Sequence, residues 1–323
     1  MKTSMRRVAL LTVLAPISWG TTYVTVTELL PPGRPLLVAA SRVMPAGLVL
    51  VALGTWRSRW VPRGRQWRHL AALALFNFAL FFPLLVVGVY RLPGGVAASF
   101  GGLQPLLVAG LSWAIAGRRA RAVELAVGVV AALGVALVVV KPGAHVDLLG
   151  VLAAGASAVS FAAGVVLTKR LPAPPDRVTA TGWQLLLSAV PLAAVALMLE
   201  GTPPAPTIGN VVGFAYLSLA GTALAFVLWF RGIERLPTAA PPLLGLAAPV
   251  TGALLGWLVK GESLSPVQLV GFAITIGAIA RGATLAPRPA EPPAEPPAGR
   301  PSPDVQFSPG SAPRTSAAPA SVR

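Results

Sequence analysis

GVYRLPGGVAASFGGLQPLLVAGLSWAIAG (88–117) returns 144 residues later, without a gap, as GIERLPTAAPPLLGLAAPVTGALLGWLVKG (232–261). Ten of the thirty positions are identical, among them Arg91/Arg235, Pro93/Pro237, Gly101/Gly245, Pro105/Pro249 and Trp113/Trp257. An ungapped repeat of this length within apolar sequence points to two halves built alike, an arrangement used by many membrane carriers.

The surrounding chain belongs in a bilayer. It is 55% hydrophobic and 11% charged over 323 residues, too little polar surface to enclose itself in water. Apolar stretches of the roughly 20 residues needed to cross the hydrocarbon layer are predicted at about 8–30, 35–55, 69–90, 93–116, 122–140, 147–168, 178–199, 208–230, 237–259 and 265–285. The reading is an all-α membrane protein of ten transmembrane helices. Its two halves, 8–140 and 147–285, hold five spans each. Because five is odd, the second half must sit upside down relative to the first, giving two inverted five-helix repeats. The last 38 residues, 286–323, carry eleven prolines and almost no large apolar side chains, the composition of a disordered tail.

Cations set the expected orientation. With the N-terminus in the cytoplasm, 21 lysines and arginines fall in inside segments and four (Arg34, Arg91, Lys141, Lys260) outside, with Arg42 left within a span. That bias places both termini in the cytoplasm. The net charge of +16 is then a matter of topology and anionic headgroups, not of nucleic acid, because the arginines sit at helix ends without interleaved aromatic platforms. Lys2, Arg6 and Arg7 before an apolar run mimic a signal peptide, but no small-residue cleavage site follows, so an uncleaved first helix is expected.

The absences exclude several chemistries. There is no cysteine, and the two histidines, His69 and His145, lie at helix ends. No His-Glu-Xaa-Xaa-His site, paired intramembrane aspartates or phosphate-cradling Gly-Xaa-Xaa-Xaa-Xaa-Gly-Lys loop occurs. Neither a metal, a cofactor nor an enzymatic activity is expected.

Within the repeat, Pro105 deprives the Gly101 carbonyl of its helical partner, and Pro249 does the same to Gly245. Freed carbonyls at membrane depth require a neighbouring helix, a watery cavity or a ligand. In the first helix Ser18, Thr21, Thr22, Thr25 and Glu28 form one stripe that should face protein or water. Arg42, about a third of the way into the second helix, must snorkel, pair or line a cavity, and pairing with Glu28 is the expectation; both are candidates for coupling. Gly252 and Gly256 allow close helix contact, within the fold or with a second copy of the chain.

The segments PISWGTTYVTVTELLPP (16–32), LLVAASRVMPAGLVLVAL (36–53) and the two repeat arms, the second extending through residue 280, resemble EamA-domain members of the drug/metabolite transporter superfamily. The resemblance rests on Trp19-Gly20, Arg42, the two proline-broken helices and the Gly261-Glu262 turn, and covers about residues 8–285. It implies a central cavity lined by helices 1, 3, 4, 6, 8 and 9. Carried over residue by residue, the cavity candidates are Trp19, Thr22, Tyr23, Asn77, Phe81 and Phe100 from the first half. Gln104, Ser160, Tyr216, Thr222, Trp229 and Thr251 complete the set. Two positions depart from the family pattern: Arg118 follows Gly117 where Gly-Glu is frequent, and Glu28 stands where lysine is common. The implied activity is secondary transport by alternating access, in the exporting direction, of small organic metabolites (amino-acid-like, neutral polar or aromatic solutes, or drugs) across a bacterial cell membrane. A membrane scaffold or accessory subunit, in which the repeat is only architectural, is the alternative.

Overall fold

The computed structural model describes residues 2–92, 100–117, 119–139, 147–260 and 265–284. The expected tail (286–323) and the Gly261-Glu262 turn lie outside them. Among the described residues there is no strand. Ten apolar helices follow in order: α1 (Met5–Leu29), α2 (Pro35–Ser58), α3 (Arg65–Arg91), α4 (Gln104–Ile115), α5 (Ala122–Leu137), α6 (Leu148–Arg170), α7 (Arg177–Glu200), α8 (Ile208–Arg235), α9 (Ala240–Val259) and α10 (Pro266–Arg281). Seven of them are long and apolar enough to cross a membrane, whereas α4, α5 and α10 are shorter. The sequence led us to expect ten full crossings. In α4 the helix breaks at Leu103, just before Gln104, which leaves its regular part short. The outer surface is apolar: Leu10, Leu53, Leu133, Met198 and Leu258 are all exposed, as suits lipid rather than water.

Helices α2 and α7 lie antiparallel along their whole length. Glu200, at the end of α7, accepts from the Leu36 and Leu37 amides at the start of α2 (2.7 and 2.8 Å). A carboxylate there satisfies two orphan N–H groups and complements the helix dipole. At the other end Ser58 Oγ donates to Asp176, the N-cap of α7, at 2.6 Å. Burial pushes the Asp176 carboxyl up, but the Ser58 and Thr179 hydroxyls and the Val178 and Thr179 amides outweigh it and hold the group below the usual carboxylate range. Between these ties glycines let the backbones close: a Cβ on Gly54 would lie 2.1 Å from Thr179 Oγ1, and one on Gly182 would lie 2.7 Å from the Val51 amide.

The helix α6 gives the bundle two ends. At its start Arg91, which ends α3, pairs with Asp147 at 3.2 Å. The Gly150 amide, with Arg91 beside it, holds the Asp147 carboxyl below the usual range. At its finish Lys169 donates to the Ile233 and Leu236 carbonyls at the end of α8 (2.7 and 2.6 Å). The two repeat arginines, Arg91 and Arg235, therefore belong to opposite ends of a helix of 23 residues, about 33 Å long at 1.5 Å per residue. The start of α1 packs at the Lys169 end, where Val8 and Ala9 meet Leu236 and Ala240 beside Ile279 of α10.

Among the described residues α1 is interrupted at Thr21, and four further helices are irregular in matching places. A π-helical turn occupies Leu75–Ala79 in α3 and another Leu219–Leu224 in α8, with starts 144 residues apart like the repeat itself. The α4 break at Leu103 corresponds to a break in α9 at Leu246, between Ala240–Gly245 and Ala247–Lys260. Gly252 faces Gly20 and Tyr23 of α1, so this half of the glycine motif serves contact within the chain.

The α2–α7 contact yields a test. Gly54→Ala should lower the stability of the detergent-solubilised protein by about 1–3 kcal/mol, seen as a reduced thermal midpoint. Gly110→Ala, where a Cβ meets nothing within 4 Å, should leave it unchanged.

Candidate functional site

A cavity of about 960 Å³, including its open mouth, lies among α1, α3, α4, α6, α8 and α9, with Arg42 of α2 reaching its wall. It occupies the half of the bundle towards the ends of α1 and α3: Tyr23, Leu85 and Val89 line it, and Tyr90 next to them donates to the Pro31 carbonyl at 3.0 Å. The walls are mostly rings and aliphatic chains. Gly101, Gly245 and Pro249 of the two broken helices face it.

Its floor is a layer of aromatic rings. Trp19 meets Phe161, Phe226 and Trp229 at centroid separations of 5.6, 5.0 and 5.1 Å. Phe226 also packs on Phe78 (4.7 Å), Phe82 (5.9 Å) and Phe230 (5.6 Å). Beyond the floor, towards the Lys169 end, is a second cavity of about 640 Å³ lined by His69, Thr168, Gln184, Phe230 and the ion pair Arg177–Glu234. Trp229 and Phe230 are neighbours on α8, yet the first faces one cavity and the second the other.

Arg42 is fixed at the wall by α8. Its Nε donates to Thr222 Oγ1 at 2.8 Å and its Nη2 to the Gly221 carbonyl at 3.0 Å, while its guanidinium carbon sits 4.3 Å from the centre of the Phe82 ring. Trp19 Nε1 donates to the same Gly221 carbonyl at 3.0 Å. That carbonyl lies in the π-helical turn, where the altered backbone register leaves acceptors that a regular helix would use internally. Thr222 bonds across the turn, to the Leu217 carbonyl five residues back. The matching turn in α3 supplies the Phe76 carbonyl to Ser160 of α6 at 2.8 Å.

The expected pairing of Arg42 with Glu28 is corrected by this geometry. Glu28 is exposed near the end of α1 and takes a hydrogen bond from Thr27 at 3.3 Å, while Arg42 spends its bonds on α8. Sequence periodicity could not foresee this, because the acceptor is a main-chain carbonyl released by a π-helical turn.

Of the cavity candidates, the structure brings together Trp19, Thr22, Tyr23, Phe81, Phe100, Gln104 and Trp229. Gln104 is held by its Nε2 donating to the Ala158 carbonyl at 3.0 Å. The other candidates lie off the wall. Asn77 is fully buried against Gly164; Ser160 and Thr222 serve the π-helical turns; Tyr216 meets Thr21 at 2.9 Å on the outside; Thr251 packs on Gly20 where α1 and α9 cross. Pro105 likewise points away, against Gly128 of α5. A hydroxyl or amide at membrane depth is satisfied as well by a neighbouring helix as by a cavity, and the sequence does not separate the two.

Comparison with known proteins agrees with this architecture. The pattern of the EamA-like transporter family matches residues 6–140 and again 148–281. The chain belongs to that family. Protein PecM of Dickeya dadantii is 37% identical over 267 residues, 82% of this chain and 88% of PecM. An uncharacterized inner membrane transporter of Escherichia coli K12, YedA, is 24% identical over 268 residues, 81% of this chain and 86% of YedA. One crystal structure superposes with a TM-score of 0.70 at 22% identity, covering 87% of this chain and 99% of the other, a likeness of fold. The protein is thus a multi-pass membrane protein of the drug/metabolite transporter superfamily.

Sequence reasoning missed several wall residues of this EamA-like chain: Phe82, Leu85, Phe161, Val165 and Pro242. An apolar side chain in a membrane helix carries no signal that tells a cavity from lipid or core. The aromatic floor yields a prediction. Phe226→Ala removes a fully buried ring shared by five others and should cost about 3–5 kcal/mol. Thermal unfolding in detergent checks it, with Val190→Ala, an exposed site on α7, as the unaffected control.

Proposed function

We propose that this protein is a secondary transporter that moves small organic solutes, in the exporting direction, by alternating access and without covalent chemistry. One observation supports the reading: two cavities towards opposite ends of the bundle are divided by a cluster of packed rings, Trp19, Phe226 and Phe230 in succession. Repacking that cluster would close one cavity and extend the other. The helices able to do so are the irregular ones, since α3, α4, α8 and α9 are interrupted next to the floor.

The architecture proposed is two inverted five-helix repeats, 8–140 and 147–285. Antiparallel α2 and α7, π-helical turns 144 residues apart, and the placement of Arg91 and Arg235 at opposite ends of α6 all support it. In this reading the Lys169 end is cytoplasmic. It gathers Lys169, Arg170, Arg177, Arg231 and Arg235, together with the start of α1, whereas Arg34 and Arg91 mark the other end. The larger cavity then opens away from the cytoplasm, and its ring-lined wall suits solutes with an aromatic or aliphatic body.

Two measurements test this. Impermeant thiol reagents applied to Arg91→Cys and Arg235→Cys in this cysteine-free chain should label them from opposite sides of the membrane. Proteoliposomes should show saturable flux for at least one member of a panel of small organic metabolites. Same-side labelling, or no flux combined with no ligand-induced thermal stabilisation, contradicts the reading.

A further inference from the structure

We infer that the larger cavity recognises an organic monoanion, with one acidic group held at Arg42 and an aromatic or aliphatic body against the surrounding rings. The inference rests on the transporter reading above and names its substrate class.

Among the described residues Arg42 is the only formally charged one on the cavity wall, and it is 2% exposed. Every partner it has is neutral: the Thr222 hydroxyl, the Gly221 carbonyl and the face of Phe82. Its third nitrogen, Nη1, makes no hydrogen bond among the described residues. A guanidinium taken out of water without a counter-charge is costly, and within a membrane bundle such a group marks a site where its partner arrives from elsewhere. No carboxylate among the described wall residues can be that partner, and Glu28 is exposed.

The neighbouring polar atoms point to the same ligand. Thr22 and Trp229 line the cavity, and their Oγ1 and Nε1 atoms are buried with no hydrogen-bond partner; Ser18 Oγ, close to Gly221, is likewise unpartnered. An indole nitrogen can only donate, and a guanidinium only donates. The complement to this set is an acceptor, and a carboxylate or similar acid supplies acceptors and the missing charge together. A zwitterion would bring an ammonium group into a wall that offers it no anion and one like charge. The site therefore favours an acid lacking the amino group over the corresponding amino acid.

The charge also bears on direction. The described wall residues include no carboxylate to carry a proton, so in this inference the solute's own charge couples transport to the membrane potential, and a negative cytoplasm drives a monoanion outward.

Three probes with one body and three head groups test this on the purified full chain: 3-phenylpropionate, 3-phenylpropionamide and 3-phenylpropylamine. Thermal unfolding in detergent should show the acid binding about tenfold more tightly than the amide, the order expected for a hydrogen bond to a charged group, with the amine weakest. Arg42→Lys should keep part of the preference and Arg42→Gln should abolish it. Trp229→Phe, which keeps the ring and removes the N–H, should weaken the acid several-fold and is the second variant if Arg42→Gln fails to fold. Amide or amine binding as tightly as the acid to the unaltered protein overturns the inference, as does stabilisation by none of the three. Flux of amide and acid at equal rates in proteoliposomes overturns it while leaving the transporter reading intact; acid binding with no flux of any probe does the reverse.

Discussion

A chain buried in hydrocarbon must satisfy its own backbone, and this constraint organises the whole bundle. Four of the helices, α3, α4, α8 and α9, are interrupted around the cavity and its floor. The Gly221 carbonyl shows what the irregularity provides. It accepts from Trp19 of α1 and Arg42 of α2 at once, so one loosened turn of α8 fastens two other helices and fixes a charge at the cavity wall. The Phe76 carbonyl does the same for Ser160 of α6.

The contrast with α2 and α7 is instructive. That pair is regular, closed by glycines and tied at both ends by carboxylates on helix-start amides or hydroxyls. It lies beside the cavity and, among the described residues, contributes only Arg42 to it. Regular pair and interrupted helices divide the labour between holding the bundle together and shaping its interior.

Much of this was legible in the residues. The spacing of the repeat, the apolar spans and the breaks near Pro105 and Pro249 follow from pattern and residue type, and the wall positions Trp19, Tyr23, Phe81 and Gln104 from what the family resemblance implies. The π-helical turns were not, because Leu75–Ala79 and Leu219–Leu224 contain no proline to betray them; they depend on tertiary partners for the carbonyls they release. For the same reason Arg42 was assigned a carboxylate when its partners were a hydroxyl and a main-chain oxygen. Ser160 and Thr222 are cavity candidates by residue type, yet each is enclosed at or beside a π-helical turn and bonds to a main-chain carbonyl there, while Asn77 is buried in such a turn away from the wall.

The account stands on an interior that each face of the membrane can reach in turn. The most direct measurement is the reactivity of Gln104→Cys, at the wall of the larger cavity, towards impermeant thiol reagents added to one side or the other of sealed vesicles. Modification from both sides, with a transported solute changing the two rates in opposite directions, is the result the account predicts. Reactivity from one side alone under every condition would contradict it.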